Sequence, residues 1–260
     1  IVSMHGLEPV RTRPTAFINS LDASGQVHIV KELLDNSYDE LNNVNYQGVI
    51  NIYLFTANDT YQVLVTDNGR GIPLGKFKSA LSQLWTSGKV NSDAYTTSSG
   101  TYGLGAKCQA ALSRISRAIT FRKEGIGILH LADGKIEVEN TLPNLTATAG
   151  TYIFYELNKS WESHGEIHQF LDIENFTTVG YLELLKIIRV NDIFNTTIQT
   201  KLHIIDAPIP NSIWNTRSDV THFLSWVESL SVSTTPIYDT LSLSPADRAK
   251  YTLEYFDVDS

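Results

Sequence analysis

The sequence predicts a mixed α/β fold of the α+β kind, in which helices pack against one sheet. Residues 25–43 carry apolar side chains at the spacing of an amphipathic helix. Two runs rich in β-branched and aromatic residues follow at 49–55 and 61–67, and the turn-forming stretch between them predicts a pair of strands. The same two patterns predict further elements, namely helices at 76–86, 104–113 and 178–189 and strands at 117–123, 126–132, 135–140, 150–157 and 198–206.

Other segments show neither the helical nor the strand spacing of apolar residues. Residues 87–103 are small, polar and rich in glycine, which predicts a mobile loop, and 165–176 are expected to be irregular. Two prolines in 205–211 indicate a linker, and the helix expected at 219–230 is then assigned to a second unit.

The composition argues against several classes of protein. The formal net charge of −8 does not favour a domain that grips DNA by itself, because such a domain usually carries a basic face. A single cysteine excludes an internal disulfide, and no apolar run approaches the roughly 20 residues that span a bilayer. Without a secretory signal pattern, we expect a reducing, intracellular compartment and no membrane partner.

The first group of chemically capable residues lies on the predicted helix at 25–43. His28, Glu32, Asn36 and Asp39 recur every three or four residues and therefore share a face. A carboxylate such as that of Glu32 can take a proton from an attacking water, and the amide oxygen of Asn36 can bind magnesium beside phosphates. The alternative is a solvated helix face with no further role.

The second group is the sequence DNGRGIP, which begins where the second strand ends. Asp67 could accept a hydrogen bond from an exocyclic amine such as that of adenine. Gly69 and Gly71 would let the backbone approach a flat base closely. The alternative is a simple turn, since Asp-Asn-Gly is common in turns.

The third group is GTYGLGAK at 100–107, with three glycines just before a predicted helix. Backbone N–H groups at a helix N-terminus favour phosphate, and Lys107 adds positive charge. The pattern is neither a P-loop nor a dinucleotide fingerprint. By itself it would more often be a hinge or a loop.

In this order and spacing, the three groups resemble the N-box, G1 and G2 motifs of the GHKL ATPases, the superfamily of gyrase, Hsp90, histidine kinases and MutL. Longer stretches are similar to the B-type subunits of type IIA DNA topoisomerases, namely GLEPVRTRP at 6–14, ELLDNSYDE at 32–40, TDNGRGIP at 66–73, AGTYIFY at 149–155 and TPIYD at 235–239. The resemblance implies a Bergerat-type two-layer sandwich of a mixed sheet and helices at 1–206. A linker and the start of a transducer domain would follow at 207–260.

The resemblance also implies residue roles. Glu32 would be the general base, oriented by His28, and Asn36 would bind Mg²⁺. Asp67 would recognise adenine, assisted through a water by Thr151. The other positions implied to bind ATP belong to the same motifs and the loop between them: Asp39, Gly69, Arg70, Gly71, Ile72, Pro73, Tyr95, Gly100, Thr101, Tyr102, Gly103, Leu104, Gly105, Ala106 and Lys107.

Finally, the resemblance implies binding partners, and the sequence differs from the family pattern at some positions. ATP binding would join two copies of the subunit and close a DNA gate for strand passage, together with a DNA-cleaving A-type subunit or domain, in the cytoplasm of a bacterium or a phage-infected host. The stretch GLGAK at 103–107 leans toward phage enzymes, and TAFIN at 15–19 replaces the family's GMYIG. The resemblance also implies that the family's N-terminal arm is nearly absent and that the chain stops before the Gln-Thr-Lys motif of the transducer domain. We therefore expect weak hydrolysis and mostly monomeric behaviour. The alternatives are another GHKL ATPase, MutL-like or a chaperone, or a non-catalytic nucleotide-binding or dimerisation module.

Overall fold

The helices and strands predicted from the sequence occur in the predicted order, and the described residues add two short helices and three short strands. The computed structural model describes residues 6–43, 47–57, 61–84, 104–171, 179–194, 197–207, 209, 216–239 and 246. The helices are α1 Glu8–Thr12, α2 Thr15–Ile18, α3 Ala23–Asn43, α4 Leu74–Ser82, α5 Gly105–Leu112, α6 Val179–Phe194 and α7 Arg217–Ser233. The strands are β1 Gly48–Phe55, β2 Gln62–Asp67, β3 Ser113–Arg122, β4 Gly125–Ala132, β5 Lys135–Leu142, β6 Gly150–Leu157, β7 Ser160–Ser163, β8 Glu166–Gln169, β9 Ile198–Ile205 and β10 Tyr238–Asp239.

Eight of these strands form one sheet in the order β10-β9-β1-β2-β6-β3-β4-β5. Only β1 and β9 run parallel among the described strands, so the sheet is mixed, and the predicted α/β fold of a mixed sheet with helices is confirmed. The register sets Asp67 of β2 opposite Thr151 of β6, and Thr151 in turn opposite Thr120 of β3. Three polar side chains from distant parts of the sequence therefore meet at one end of the central strands.

The two faces of the sheet bury different partners, because side chains alternate along each strand. One face packs against α3, α4, α5 and α6 through residues such as Ile52 and Val65. The other face is rich in aromatic residues and packs against Val220, Phe223 and Val227 of α7. Helix α7 begins with a capping box, in which Thr216 and Asp219 satisfy each other's backbone N–H groups.

The C-terminal elements join this same sheet. Helix α7 lies on its second face, and β10 pairs with β9 at its edge. Described residues on both sides of position 206 thus belong to one sheet. The division of the chain into two domains at 206/207 stays a prediction. The letters Gln-Thr-Lys do occur at 199–201, but there they lie inside β9.

Two expectations about local structure need correction. The irregular segment expected at 165–176 is in part regular, because Glu166–Gln169 pairs with Ser160–Ser163 in a two-stranded hairpin. Its turn places His164 and Gly165 at positive φ, and Trp161 anchors it by donating to the Arg11 carbonyl at 2.9 Å. Helix α4 ends at Ser82 rather than at 86. The expected loop at 87–103 lies outside the described residues, and no helix within them is long and apolar enough to cross a membrane.

Candidate active site

The polar face of α3 is turned into the protein. Glu32 is only 9% exposed, and Asp39 is also buried, so the interpretation as a solvated face is wrong for these two carboxylates. His28 precedes Glu32 by one turn, and its Nε2 lies 3.7 Å from Glu32 Oε1. Asn36 follows one turn later and is partly buried. The helix therefore presents an acid, a neighbouring imidazole and an amide along one line.

Helix α5 packs directly on the Glu32 side chain. A Cβ built on Gly105 would lie 2.0 Å from Glu32 Cβ and 2.6 Å from Oε2. Glycine is thus the only residue that lets the start of α5 approach α3 this closely. The contact fixes where the carboxylate can point and leaves it at the N-terminus of α5, whose partial positive charge favours an anion.

Burial influences the protonation of His28. Burial lowers the pKa of His28, and the positive charge of Lys31 lowers it further. The neutral form of His28 is therefore favoured at pH 7, and a neutral imidazole keeps one N–H that can orient the Glu32 carboxylate.

At the other end of the site, Asp67 terminates β2. Its Oδ1 accepts hydrogen bonds from the backbone N–H of Gly69 at 2.9 Å and of Thr151 at 3.3 Å. Its Oδ2 accepts from Ser37 Oγ at 3.2 Å. The contact to Gly69 is indeed a turn contact, but those from β6 and α3 go beyond what a simple turn needs.

The Asp67 carboxyl is 7% exposed, and burial raises its pKa to about 6 against the lowering effect of its hydrogen bonds. At pH 7 the group is mostly ionised and retains acceptor capacity. A buried carboxylate is a strong acceptor for an exocyclic amine, because hydrogen bonds to charged groups are worth about 1.5–3 kcal/mol.

Gly71 closes the loop beside Asp67 with a positive φ of 76°. A Cβ there would lie 2.6 Å from the Phe121 carbonyl oxygen and 2.7 Å from Thr120 Oγ1. The Thr120 hydroxyl accepts from the Ile72 N–H at 2.7 Å and donates to the Ile72 carbonyl at 3.1 Å. The loop is thus fastened to β3, and Pro73 precedes α4.

Comparison with known proteins agrees with this geometry. Residues 21–158, more than half of the chain, match the family of histidine kinase-, DNA gyrase B- and HSP90-like ATPases. The chain belongs to this ATPase family. The match begins just before α3 and ends after β6, so it contains the α3 face, Asp67, the start of α5 and Thr151.

Relatives within the family narrow the resemblance. The chain is 37% identical over 158 residues to the B subunit of DNA topoisomerase 4 from Mycoplasma capricolum, covering 58% of this chain and 24% of that protein. It is 33% identical over 144 residues to the B subunit of DNA gyrase from Mycoplasmoides gallisepticum, covering 52% and 22%. The B subunit of DNA topoisomerase 4 from Rickettsia conorii is 38% identical over 120 residues, covering 43% and 18%. The expected resemblance to B-type subunits is confirmed over this region, which is less than a quarter of their length.

Several residues that support the candidate site were not predicted from the sequence motifs. Ser37 holds Asp67 from the helix that carries Asn36, and its position inside DNSYDE could have suggested it. Glu40 receives two hydrogen bonds from the Arg70 guanidinium, at 2.8 and 3.0 Å, and one from its backbone N–H at 3.0 Å. Arg122 donates to the Gly71 carbonyl at 2.7 Å. Thr120 and Arg122 carry no local signal, because only strand pairing brings β3 to this loop.

The end of the site that is predicted to bind phosphate is described in part. Leu104 caps α5, and Gly105, Ala106 and Lys107 form its first turn. Lys107 is 1% exposed, and burial lowers its pKa. The other predicted residues of this end, Tyr95, Gly100, Thr101, Tyr102 and Gly103, lie outside the described residues.

The implied metal is compatible with Asn36. Among the described residues, no three His, Cys, Asp or Glu side chains come together as a metal site. An amide oxygen on α3, one turn from Glu32, is a hard donor of the kind that Mg²⁺ takes when phosphates and waters supply its other ligands. The side chains present therefore fit a magnesium ion held jointly by protein and nucleotide.

A separate cleft of about 840 Å³ lies between α1, the end of α4 and the β4–β5 turn. It is lined by charged side chains of both signs, including Glu8, Arg11, Lys78, Asp133 and Lys135. None of the residues predicted for the ATPase site lines it.

Proposed function

We propose that the chain binds ATP with Mg²⁺ and hydrolyses it, as the ATPase part of a B-type subunit of a type II DNA topoisomerase. One observation carries the proposal. A buried acceptor, Asp67, and a buried acid, Glu32, are tied to the same helix, the first through Ser37 and the second as part of α3. That arrangement supplies base recognition and proton transfer at the two ends of one site.

In the proposed reaction, Asp67 accepts a hydrogen bond from the adenine amine while the backbone around Gly71 lies against the base. Phosphates meet the N-terminus of α5, where the helix dipole and Lys107 favour negative charge. Glu32 accepts a proton from the water that attacks the terminal phosphate, and neutral His28 orients the carboxylate. A bound Mg²⁺ would neutralise phosphate charge, and Asn36 is the residue that would hold it.

The names of the relatives support the larger setting. They are B subunits of DNA topoisomerase 4 and DNA gyrase. We infer that ATP binding joins two copies of this subunit, closes a DNA gate and drives strand passage together with an A-type subunit, inside a bacterial cell or a phage-infected host. A net charge of −8 is consistent with DNA being gripped by other parts of such an enzyme.

Calorimetric titration with a non-hydrolysable ATP analogue and Mg²⁺ tests the proposal, using wild type, Asp67→Asn and Glu32→Ala. We expect wild type and Glu32→Ala to bind with similar affinity, and Asp67→Asn to bind at least about tenfold more weakly because it loses a charged acceptor. Hydrolysis by wild type should be slow but measurable, and Glu32→Ala should show none.

Two results would decide against it. Absence of analogue binding by wild type would remove the interpretation of the site as an ATPase. Binding without any hydrolysis, even at high protein concentration, would favour the non-catalytic nucleotide-binding module instead.

A further inference from the structure

A group of buried, hydrogen-bonded side chains lies where α3 meets β9 and where α6 meets β10. The Tyr38 hydroxyl lies 2.6 Å from Thr200 Oγ1 of β9. Nearby, the Tyr238 hydroxyl of β10 donates to Asp192 Oδ2 of α6. All four residues are buried. Burial raises the pKa of Tyr38 well above its ordinary value, and the charge of Asp192 raises it further, so the two pairs lie within electrostatic range.

Few contacts attach strand β10 to the rest of the sheet among the described residues. It pairs with β9 over only two residues, Tyr238 opposite Leu202 and Asp239 opposite Lys201. One backbone bond from Ile237 to Leu202, at 2.9 Å, precedes the pair. So short a strand gains little from its ladder. Two side-chain bonds add to this attachment: the buried Tyr238 hydroxyl donates to the buried Asp192 carboxylate, and Gln199 Nε2 of β9 donates to Asp239 Oδ1 at 2.8 Å.

The same group reaches the nucleotide site through one helix. Tyr38 directly follows Ser37, whose hydroxyl holds Asp67. Asn36, the proposed Mg²⁺ ligand, precedes them both. A helix moves these neighbours together, since its backbone bonds fix their relative positions. Any shift of α3 on nucleotide binding would therefore move Tyr38 against Thr200 and the pocket that receives Tyr238.

We propose that Tyr238 is a positioning residue, and that occupancy of the nucleotide site and docking of β10 onto the sheet are coupled through Tyr38 of α3. This rests on the proposed function, because it names how that site would signal to the C-terminal elements. By linkage, if nucleotide strengthens the docking of β10 by some factor, docked β10 strengthens nucleotide binding by the same factor.

Hydrogen exchange with and without the non-hydrolysable ATP analogue tests the coupling in wild type, Tyr238→Phe and a matched control, Tyr53→Phe. Tyr53 is also buried, but it lies on the other face of the sheet against His203, and its hydroxyl finds no hydrogen-bond partner among the described residues. In wild type and the control, we expect the analogue to slow exchange in 198–205 and 236–239 by about fivefold or more. In Tyr238→Phe we expect this response to disappear and analogue affinity to fall by a similar factor.

A merely structural role predicts something else. Tyr238→Phe would then speed exchange equally with and without the analogue and leave analogue affinity unchanged, and that result would overturn the coupling while leaving the proposed function intact. If wild type binds no analogue, the proposed function fails and the coupling fails with it. Should Tyr238→Phe not fold, Asp192→Asn replaces it, because it weakens the same contact while keeping an oxygen to accept the Tyr238 proton.

Discussion

The two ends of the candidate site are built in different ways: the base end, around Asp67, is proposed to bind adenine, and the phosphate end, around Glu32 and the start of α5, is proposed to bind phosphate. At the base end, Asp67, Thr151 and Thr120 lie side by side on three adjacent strands, and backbone N–H groups hold the carboxylate. At the phosphate end, Glu32 is positioned by one helix packing on another at Gly105. The first arrangement is fixed by strand register and the second by one close contact. We therefore expect recognition to tolerate small changes in packing, whereas catalysis should not.

The sharpest test of this contrast is Glu32→Gln. The substitution keeps the shape of the side chain but removes the group that can accept a proton. We expect kcat to fall by roughly 10²–10⁴-fold, the usual contribution of a general base, with little change in analogue affinity. Steady-state hydrolysis and calorimetry measure the two quantities.

A matched control is Glu183→Gln on α6. Glu183 pairs with Lys186 at an exposed position and should leave both quantities unchanged. A loss of affinity in Glu32→Gln as large as its loss of turnover would mean that the two ends are not separable.

The helix contact itself can be broken by Gly105→Ala. A Cβ at this position would lie 2.0 Å from Glu32 Cβ, so α5 must shift away from α3. A misplacement of about 1 Å can reduce turnover by roughly 10²-fold, and the overpacking should cost about 1–3 kcal/mol of stability. Hydrolysis rates and thermal unfolding measure both effects.

Gly75→Ala is the control for the glycine change. Gly75 lies on α4, where an added Cβ meets nothing within 4 Å. We expect about 0.5–1 kcal/mol of added stability from better helix propensity and no effect on turnover. If Gly105→Ala behaved like Gly75→Ala, the close approach of α5 would have no catalytic role.

Sequence predicted most of this architecture because the relevant signals are local. Helix α3 and strands β1, β2 and β6 follow periodic patterns, and the structure has them within about two residues of the predicted bounds. The α3 face and Asp67 were found for the same reason. The hairpin of β7 and β8 was not predicted, because a strand of four residues is too short to show a clear alternation of apolar and polar side chains.

Contacts made across the sheet could not be predicted in this way. The hydroxyl of Thr120 holds Ile72 across 48 positions of sequence, and Arg122 reaches the Gly71 carbonyl across 51. Alternation along a strand shows which face a residue takes but not which strand lies beside it. The supporting residues of the base end therefore appear only once the register is known.

The stability of the base end should depend on pH through Asp67. In the unfolded chain this carboxyl ionises near its ordinary pKa of 3.8, whereas burial raises the pKa to about 6 in the folded protein. Between these values the unfolded state loses its proton first, so the contribution of Asp67 to the free energy of unfolding falls as the pH rises from about 4 to about 6 and is level above that. A pKa difference of this size corresponds to about 3 kcal/mol.

Asp67→Asn removes that titration. The amide oxygen can keep the bonds from Gly69 and Thr151, and the amide nitrogen can donate to Ser37 Oγ. We expect the variant to be more stable than wild type at pH 7, by up to about 3 kcal/mol, and this difference in stability should shrink toward pH 4. At the same time, the variant should bind nucleotide at least about tenfold more weakly. Urea unfolding across this pH range measures the difference in stability. A variant less stable than wild type at pH 7 would show that the ionised carboxylate is well compensated by its hydrogen bonds.

The smallest effect is expected at the outer edge of the base end, where Glu40 pairs with Arg70. The Arg70 side chain is 57% exposed and that of Glu40 is 20% exposed, so water and salt screen the charges. Glu40→Gln keeps an oxygen that can accept from the Arg70 backbone N–H and Nε, but it loses the charge and the bond that Arg70 Nη2 donates to Oε2. We expect a stability loss of at most about 1 kcal/mol. The coupling in a double-mutant cycle with Arg70→Gln should vanish at about 1 M salt. A larger, salt-insensitive coupling would mean that this ion pair, rather than strand register, fixes the loop that closes on the base.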